Sequence, residues 1–360
     1  MSKKLMKGNS ALCYGAIAAG CDAFFGYPIT PQNEVPEYMS WMMPEKGRVF
    51  VQAESEVAAI NMVYGAAASG MRAMTSSSSP GVSLKQEGLS YIAAAELPAV
   101  VCNVQRAGPG LGGILAGQGD YFQAVKGGGH GDYRLITLAP WSVQECYDFM
   151  ALAFDLADKY RNPVCMLLDG VVGQMQEAID LHPVEIRRYD KPWAADGTPK
   201  AEKAVINSLW VEPQVLEDLN ERIKAKYRAC AAAETRYEEY MTEDAELVLV
   251  GYGTSARVAK TVVDNARREG LKIGMFRPVT LFPFPYGRLA EMTEAGKRFL
   301  VLEMSTGQMV EDVMLAACGR TSVDFYGRTG GFVMTPDEVL DKAKQVMASP
   351  ADPCQRSWEL

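Results

Sequence analysis

Histidines and paired cysteines are scarce in this sequence, and their scarcity narrows the chemistry it can perform. Only two histidines occur, His130 and His182, so a three-histidine zinc site or a repeated histidine relay is excluded. The eight cysteines include no Cys-x-x-Cys pair, which argues against disulfides and against an iron-sulfur cluster held by this chain. We therefore expect buried free thiols and a reducing compartment.

Long apolar runs and basic stretches are also absent. No run of about 18 apolar residues could span a bilayer, and a formal net charge of -8 without a basic stripe disfavours a nucleic-acid partner. The opening Met1 to Lys4 resembles a signal n-region, but the polar residues Lys7 to Ser10 interrupt any apolar core. We expect a cytoplasmic protein with neither membrane nor nucleic acid as a partner.

The chain of 360 residues is long enough for two domains. Short β-type runs alternate with helical patterns, which predicts α/β domains with parallel sheets. We assign residues 1–184 to a first domain, 185–243 to a linker with a charged helix, 244–348 to a smaller domain and 349–360 to a tail. The predicted linker helix covers Pro213 to Met241. The predicted strands are Cys21 to Gly26, Arg48 to Ala53, Arg72 to Ser76, Ala99 to Val104, Tyr133 to Leu138, Pro163 to Leu168, Glu246 to Val250, Leu271 to Arg277, Arg298 to Glu303 and Ser322 to Tyr326.

Polar residues follow four predicted strands of the first domain, where ligands of open parallel sheets bind. They are the loop Tyr27-Pro28-Ile29-Thr30-Pro31, the acids Glu54 and Glu56, the hydroxyl-rich run Thr75 to Ser79 that includes Ser78, and Arg106 before a glycine-rich loop. Taken singly, each has a structural explanation: a turn, a helix-dipole acid, a surface arginine. Because four strand ends meet at one edge, we expect these groups to form one site.

These motifs resemble the 2-oxoacid:ferredoxin oxidoreductase family. The run Gly26 to Pro31, followed by Glu54-Ser55-Glu56 and a small-residue helix, is similar to the family's pyrimidine-binding domain for thiamine diphosphate. Later runs resemble the family over nearly the whole chain, including a transketolase C-terminal-like second domain. They are Arg106 to Tyr121, Gly127 to Tyr133, Phe276 to Pro285, Glu303 with Gly307 to Met309, and Tyr326 to Gly331.

The resemblance implies a role for each matching residue. Glu56 would pair with the N1′ nitrogen of thiamine diphosphate, with Glu54 as the competing acid, and a buried carboxylate there favours the protonated ring. Thr30 and Arg106 would bind and act on the substrate, the guanidinium holding its carboxylate. The implied cofactor contacts are Tyr27, Pro28, Ile29, Thr30, Glu56 and Ser78. Ala107 replaces a glycine common in relatives, so we expect the loop after Arg106 to differ in shape from theirs.

A Gly-Asp-Gly motif for magnesium and the diphosphate is missing from this chain. The resemblance therefore implies that a β subunit binds the diphosphate half and magnesium, and that no metal is held here. A γ subunit and a ferredoxin-like δ subunit with iron-sulfur clusters would complete the complex. Coenzyme A would be the co-substrate and ferredoxin the electron acceptor.

The implied reaction is the oxidative decarboxylation of a 2-oxoacid to its acyl-CoA. The branch most similar to this sequence acts on 2-oxoisovalerate, with 2-oxoglutarate and pyruvate as alternatives. Two other readings stay open. The run Gly251 to Ala256 satisfies a Gly-x-Gly-x-x-Ala nucleotide fingerprint without the acidic residue that NAD requires, which favours a tight packing turn. A non-catalytic scaffold subunit is the second.

Overall fold

The computed structural model describes residues 3–200 and 203–352. Its elements as far as the end of the first domain are β1 (Lys4–Lys7), α1 (Gly8–Ala18), β2 (Ala23–Gly26), α2 (Glu34–Glu45), β3 (Val49–Gln52), α3 (Glu56–Ala68), β4 (Ala73–Ser77), α4 (Ser79–Ala94), β5 (Ala99–Gln105), a π-helical turn (Gln123–Gly127), β6 (Ile136–Leu138), α5 (Val143–Tyr160), β7 (Pro163–Asp169), α6 (Gly170–Gln174) and β8 (Gln176–Ile179). The remaining elements are α7 (Pro213–Glu234), β9 (Tyr237–Tyr240), β10 (Leu247–Val250), α8 (Gly253–Arg268), β11 (Ile273–Pro278), β12 (Thr280–Phe282), α9 (Tyr286–Glu294), β13 (Arg298–Glu303), α10 (Met309–Ala317), β14 (Val323–Gly327) and α11 (Pro336–Ala348).

The larger sheet has seven strands in the order β12-β6-β7-β5-β4-β2-β3. All neighbours are parallel except β12, which runs antiparallel to β6 at one edge. Every residue of the central strands β5 and β7 is buried, because helices cover both faces. Continuous apolar runs such as Val100 to Cys102 are what such strands require.

The second sheet has five strands in the order β14-β13-β10-β11-β9. Four are parallel, and β9 pairs antiparallel with β11 at the edge. A separate antiparallel pair joins β1 to β8. All ten predicted strands are present, and the predicted α/β class with mostly parallel sheets is confirmed.

The structure departs from the sequence prediction in its short elements. The strands β1, β8, β9 and β12 were not predicted, and each has only three or four residues. The linker helix ends at Glu234 rather than at Met241, so that part of the prediction is wrong. The backbone becomes extended at Thr235 because Tyr237 to Tyr240 pair with β11. This pairing forms the backbone hydrogen bonds that a longer helix would otherwise have formed within itself.

Two edge strands do not follow the predicted domain boundaries. Strand β9 lies in the predicted linker but joins the second sheet, whereas β12 follows β11 and joins the first. The boundaries at residues 184 and 243 therefore stay a prediction, and much of the predicted tail lies outside the described residues. Among the helices of the described ranges, none combines the length and apolar character needed to cross a bilayer.

The seven cysteines in the described ranges are all free thiols. Six of them are buried, but Cys318 is exposed, so the expectation of burial is wrong at that position. Its backbone explains the exposure, because Cys318 ends α10 in a left-handed turn at the surface. Cys354 lies outside the described residues.

Candidate active site

The candidate site lies at the carboxyl edge of the first sheet. Strands β5, β4, β2 and β3 are consecutive neighbours there and all run parallel, so the loops that follow them emerge side by side. These loops carry the residues that the sequence analysis selected. Helices α3 and α4 begin at the same edge and point their N-termini toward it.

Burial distinguishes the two acids that precede and begin α3. Glu54 is exposed, whereas Glu56 is only 7% exposed. The Ser55 hydroxyl caps the helix by accepting a hydrogen bond from the Ala58 amide (3.1 Å). The first turn is thereby fixed, and it turns the Glu56 side chain inward.

Gly81, in the first turn of α4, faces the Glu56 carboxylate. A Cβ at Gly81 would lie 2.6 Å from Glu56 Oε1 and 2.1 Å from the Ser77 hydroxyl. Contacts that short do not occur, so only a glycine fits beside both the carboxylate and the hydroxyl. Glu56, Ser77 and Gly81 thus form one buried cluster.

Two buried serine hydroxyls belong to or adjoin this cluster, those of Ser77 and Ser78. Ser77 ends β4 and Ser78 is the N-cap of α4, and both are fully buried. Within residues 3–200 and 203–352, neither hydroxyl oxygen has a hydrogen-bond partner. Buried polar atoms are nearly always paired, so these hydroxyls have bonding capacity for a ligand.

Arg106 and Thr30 meet as the sequence predicts, but through the backbone of Thr30. Arg106 Nη1 donates to the Thr30 carbonyl oxygen (3.0 Å), and Nη2 donates to the Leu111 carbonyl oxygen (2.7 Å). The Thr30 hydroxyl instead accepts from Asn33 Nδ2 (3.3 Å). Arg106 Nε is buried and has no hydrogen-bond partner in the described part of the chain. The guanidinium thus bridges two loops.

The remaining predicted residues form the rim. Tyr27 and Pro28 are exposed, and Ile29 and Thr30 are half-buried. The structure brings Glu56, Ser78 and Arg106 to one edge, with this rim beside them.

Sequence reasoning missed Asp120, which stands beside Arg106. The Ser79 hydroxyl donates to its carboxylate (2.5 Å), as does Asn103 Nδ2 (2.9 Å), while the Arg106 amide donates to the Ser79 hydroxyl (3.0 Å). Burial raises the pKa of Asp120, and these hydrogen bonds lower it in part. Asp120 lies within the run Arg106 to Tyr121 that resembles the family, which was the available signal.

A cleft of about 500 Å³ opens beside Asp120 and is lined by both domains. The first domain contributes Ser79, Asp120 and the loop at Gly108, and the second contributes Ser305 and Thr329. The site region is therefore bounded by the second sheet as well as by the first.

Lys85 is a second residue that sequence reasoning missed. It lies one turn beyond Gly81 on α4, is fully buried, and donates a hydrogen bond from Nζ to the Thr75 hydroxyl (2.9 Å). Burial lowers the pKa of Lys85 to about 8, and the negative charge of Glu56 acts in the opposite direction. A lysine within a glycine-containing helical face was the signal that could have identified it.

The residues of the nucleotide fingerprint, Gly251 to Ala256, contact the first domain instead of leaving room for a nucleotide. The Thr254 amide and hydroxyl both donate to the Asp169 carboxylate (2.8 and 2.6 Å), at the start of α8. A Cβ at Gly253 would lie 2.4 Å from Asp169 Oδ2. The helix N-terminus that a pyrophosphate would need is occupied by a side chain of the first domain, which favours the packing explanation.

No group of three or more His, Cys, Asp or Glu side chains that could hold a metal ion occurs within the described ranges 3–200 and 203–352.

A buried carboxylate, unpaired hydroxyls and a guanidinium at the carboxyl edge of a parallel sheet define a cofactor-binding α/β enzyme component. Residues 14–242 match the family described as pyruvate flavodoxin/ferredoxin oxidoreductase, thiamine diphosphate-binding, and residues 245–339 match pyruvate:ferredoxin oxidoreductase core domain II. The chain belongs to the 2-oxoacid:ferredoxin oxidoreductase family, and the resemblance seen in its motifs is confirmed.

The alignments to individual relatives cover nearly the whole chain. Ketoisovalerate oxidoreductase subunit VorB of Methanothermobacter marburgensis is 52% identical over 98% of this chain and 100% of its own length. The 2-oxoglutarate synthase subunit KorA of the same organism is 37% identical over 94% of this chain and 97% of its own. In structure, the chain is similar to 2-oxoglutarate:ferredoxin oxidoreductase from Magnetococcus marinus, with a TM-score of 0.85 and 27% identity. That match covers 96% of this chain and 65% of the other.

Proposed function

We propose that this chain is the thiamine-pyrimidine-binding subunit of a 2-oxoisovalerate:ferredoxin oxidoreductase. The assignment of the substrate rests on one observation: the chain is 52% identical to a ketoisovalerate oxidoreductase subunit but 37% identical to a 2-oxoglutarate synthase subunit of the same organism. The reaction is the CoA-dependent oxidative decarboxylation of the 2-oxoacid to acyl-CoA, carbon dioxide and reduced ferredoxin.

The residues at the carboxyl edge fit the pyrimidine half of thiamine diphosphate. When bound, this cofactor supplies the carbon nucleophile for the 2-oxo carbon and accepts the electron pair left by carbon dioxide. Glu56 would hold a proton at ring nitrogen N1′, which requires a buried carboxylate, and the buried Glu56 carboxylate lies against Gly81, which has no side chain to cover it. The unpaired hydroxyls of Ser77 and Ser78 supply further polar contacts.

Arg106 is suited to orient the substrate. Two of its nitrogens are fixed to backbone carbonyls of the Thr30 and Leu111 loops, so the guanidinium is held in place before substrate arrives. Its planar fork matches a carboxylate, and the buried Nε keeps one donor without a partner among the described residues. Thr30, at the half-buried rim, would contact the carbonyl or carboxylate of the 2-oxoacid, and Tyr27, Pro28 and Ile29 would border the cofactor.

Partner subunits complete the enzyme in this proposal. The sequence has no Gly-Asp-Gly motif, so a β subunit would bind the diphosphate and magnesium. A γ subunit and a ferredoxin-like δ subunit with the iron-sulfur clusters complete the complex. We place this complex in the cytoplasm, with ferredoxin as the electron acceptor.

The test is viologen-linked oxidation by the co-purified native complex under anoxia, with thiamine diphosphate, magnesium and coenzyme A. The proposal expects the highest kcat/KM for 2-oxoisovalerate among 2-oxoisovalerate, 2-oxoglutarate and pyruvate, and loss of acyl-CoA formation when coenzyme A is omitted. A preference for 2-oxoglutarate or pyruvate would overturn the substrate. No activity on any of the three would favour a scaffold subunit, and full turnover by this chain alone would overturn the partner arrangement.

A further inference from the structure

Helices α3 and α4 pack unusually close at the site, and glycines make this possible. Gly81 and Gly88 are seven residues apart, two turns along α4, and both face α3. A Cβ at Gly81 would lie 2.6 Å from Glu56 Oε1, and one at Gly88 would lie 2.6 Å from Ile60 Cγ2. Glu56 and Ile60 are likewise one turn apart on α3. The two helices therefore meet along one seam.

Lys85 lies between the two glycines on this face of α4, four residues after Gly81. Its side chain is fully buried, and the described residues offer its ammonium a single hydrogen bond, to the Thr75 hydroxyl. Thr75 and Ser77 alternate along β4 on the face that Glu56 covers. Glu56, Ser77, Thr75 and Lys85 thus form a buried polar seam within the apolar layer that contains Ala59, Ile60 and Leu89.

A buried ammonium with one neutral hydrogen-bond partner is unfavourable for folding, since its charge loses hydration. Burial lowers the pKa of Lys85 to about 8, and Glu56 is the charged group in the described chain whose field on it counters this. No charged partner of Lys85 appears among the ion pairs of the described residues. A methionine or leucine would fill this space without the cost of burying a charge.

We propose that Lys85 is a positioning residue of the active site, whose buried charge attracts the Glu56 carboxylate and holds it in place beside Gly81. Lys85 acts through Glu56 and touches neither substrate nor cofactor. The proposal deepens the proposed function, because Glu56 is the carboxylate assigned there to N1′. It predicts that the charge of Lys85, and not only its volume or hydrogen bond, is needed at this position.

The first test is electrostatic and needs no activity. Charge coupling is reciprocal, so the ε-carbon NMR titration of Lys85 in the full chain should move to lower pH in Glu56→Gln by at least about half a unit. Lys85→Met identifies the resonance, or Lys85→Gln if that variant does not fold. Glu54→Gln, which removes the exposed neighbouring acid, is the matched control and should leave the titration in place. Equal midpoints in the wild-type chain and Glu56→Gln would overturn the proposal.

The second test is the pH-rate profile of complexes that carry Lys85→Met or Lys85→Gln. Glutamine can still donate to Thr75 but has no charge, so both variants should move the acid limb of kcat to higher pH, by about one unit. Lys46→Met, at an exposed lysine just beyond the end of α2, should leave the profile unchanged. An unmoved acid limb in Lys85→Gln would contradict the charge role. If Glu56→Gln shifted Lys85 but kept full turnover, the coupling would stand and the proposed role of Glu56 would fail instead.

Discussion

At the scale of single residues, burial gives different properties to chemically identical side chains. Glu54 and Glu56 are two positions apart, yet only Glu56 turns inward, where its carboxylate lies against Gly81. Lys85 and Lys46 differ in the same way, one enclosed between helices and the other in water. The buried members of both pairs lie in one seam, where electrostatic interactions are strong because water is excluded.

The buried Lys85 charge predicts a specific dependence of stability on pH. In the unfolded chain a lysine titrates near pH 10.5, whereas burial lowers the pKa of Lys85 to about 8 in the folded chain. Between these values the unfolded chain binds more protons, so the free energy of unfolding rises with pH. Relative to Lys85→Met, wild type should gain roughly 3 kcal/mol between pH 8 and 10.5.

Urea unfolding of both chains at a series of pH values measures this difference, since other titrating groups cancel in the comparison. The difference between wild type and Lys46→Met, at an exposed lysine, is expected to stay constant over the same range. A constant difference for Lys85→Met as well would mean that the ammonium is not buried in the folded chain.

The residue-scale site could be predicted only in part from sequence. Thr30, Glu56, Ser78 and Arg106 follow strands, so the rule that ligands bind at the carboxyl edge identifies them. Lys85 and Asp120 could not be found in this way, because neither directly follows a predicted strand. Lys85 bonds to Thr75, and Asp120 to Ser79 and Asn103, through contacts that depend on how helices pack on strands.

At the scale of elements, the close contact of α3 and α4 predicts opposite effects for two glycine substitutions. Gly81→Ala would press a methyl group against the Ser77 hydroxyl and Glu56, and should cost about 1–3 kcal/mol of stability and most of the turnover. Gly65→Ala, on the exposed face of α3 with nothing within 4 Å, should stabilise the chain by about 0.5–1 kcal/mol.

Chemical denaturation of the two variants, with turnover measured in the complex, makes this comparison. If Gly81→Ala matched Gly65→Ala in both stability and turnover, the close approach of the helices would be refuted.

The element-scale prediction from sequence succeeded where burial leaves a continuous apolar run, as in β5 and β7. It failed for β9 and β12, whose few residues pair only at sheet edges. In β9 the run Tyr237-Glu238-Glu239-Tyr240 continues the charged pattern of α7, so local periodicity predicts more helix. Only the antiparallel pairing with β11 makes it a strand.

At the scale of the whole molecule, a buried arginine connects the second sheet to helix α5, which follows β6 of the first sheet. Arg277 on β11 is fully buried and pairs with Glu145 on α5 (2.6 Å) and with Glu238 on β9 (2.9 Å). Its guanidinium also lies 4.5 Å from the centre of the Trp141 ring. A second connection joins Asp169 of β7 to Thr254 of α8.

Removal of the Arg277 charge should loosen this connection. Arg277→Met leaves the partly buried Glu145 carboxylate without the fully buried cation that pairs with it, and we expect a cost of about 3–5 kcal/mol, the range for a broken buried pair. Arg288→Met removes half-exposed pairs with Glu239 and Glu291 and should cost no more than about 1 kcal/mol. Urea unfolding followed by tryptophan fluorescence measures both, and equal costs would show that Arg277 is not a joint between domains.

The most direct test of the account is the comparison of Glu56→Gln with Glu54→Gln in the assembled complex, with kcat for 2-oxoisovalerate as the readout. Glutamine preserves shape and removes the carboxylate charge. The account predicts that Glu56→Gln lowers kcat by about 100-fold or more while the complex still assembles, and that Glu54→Gln remains near wild type. Near-normal turnover in Glu56→Gln, or an equal loss in both variants, would contradict it.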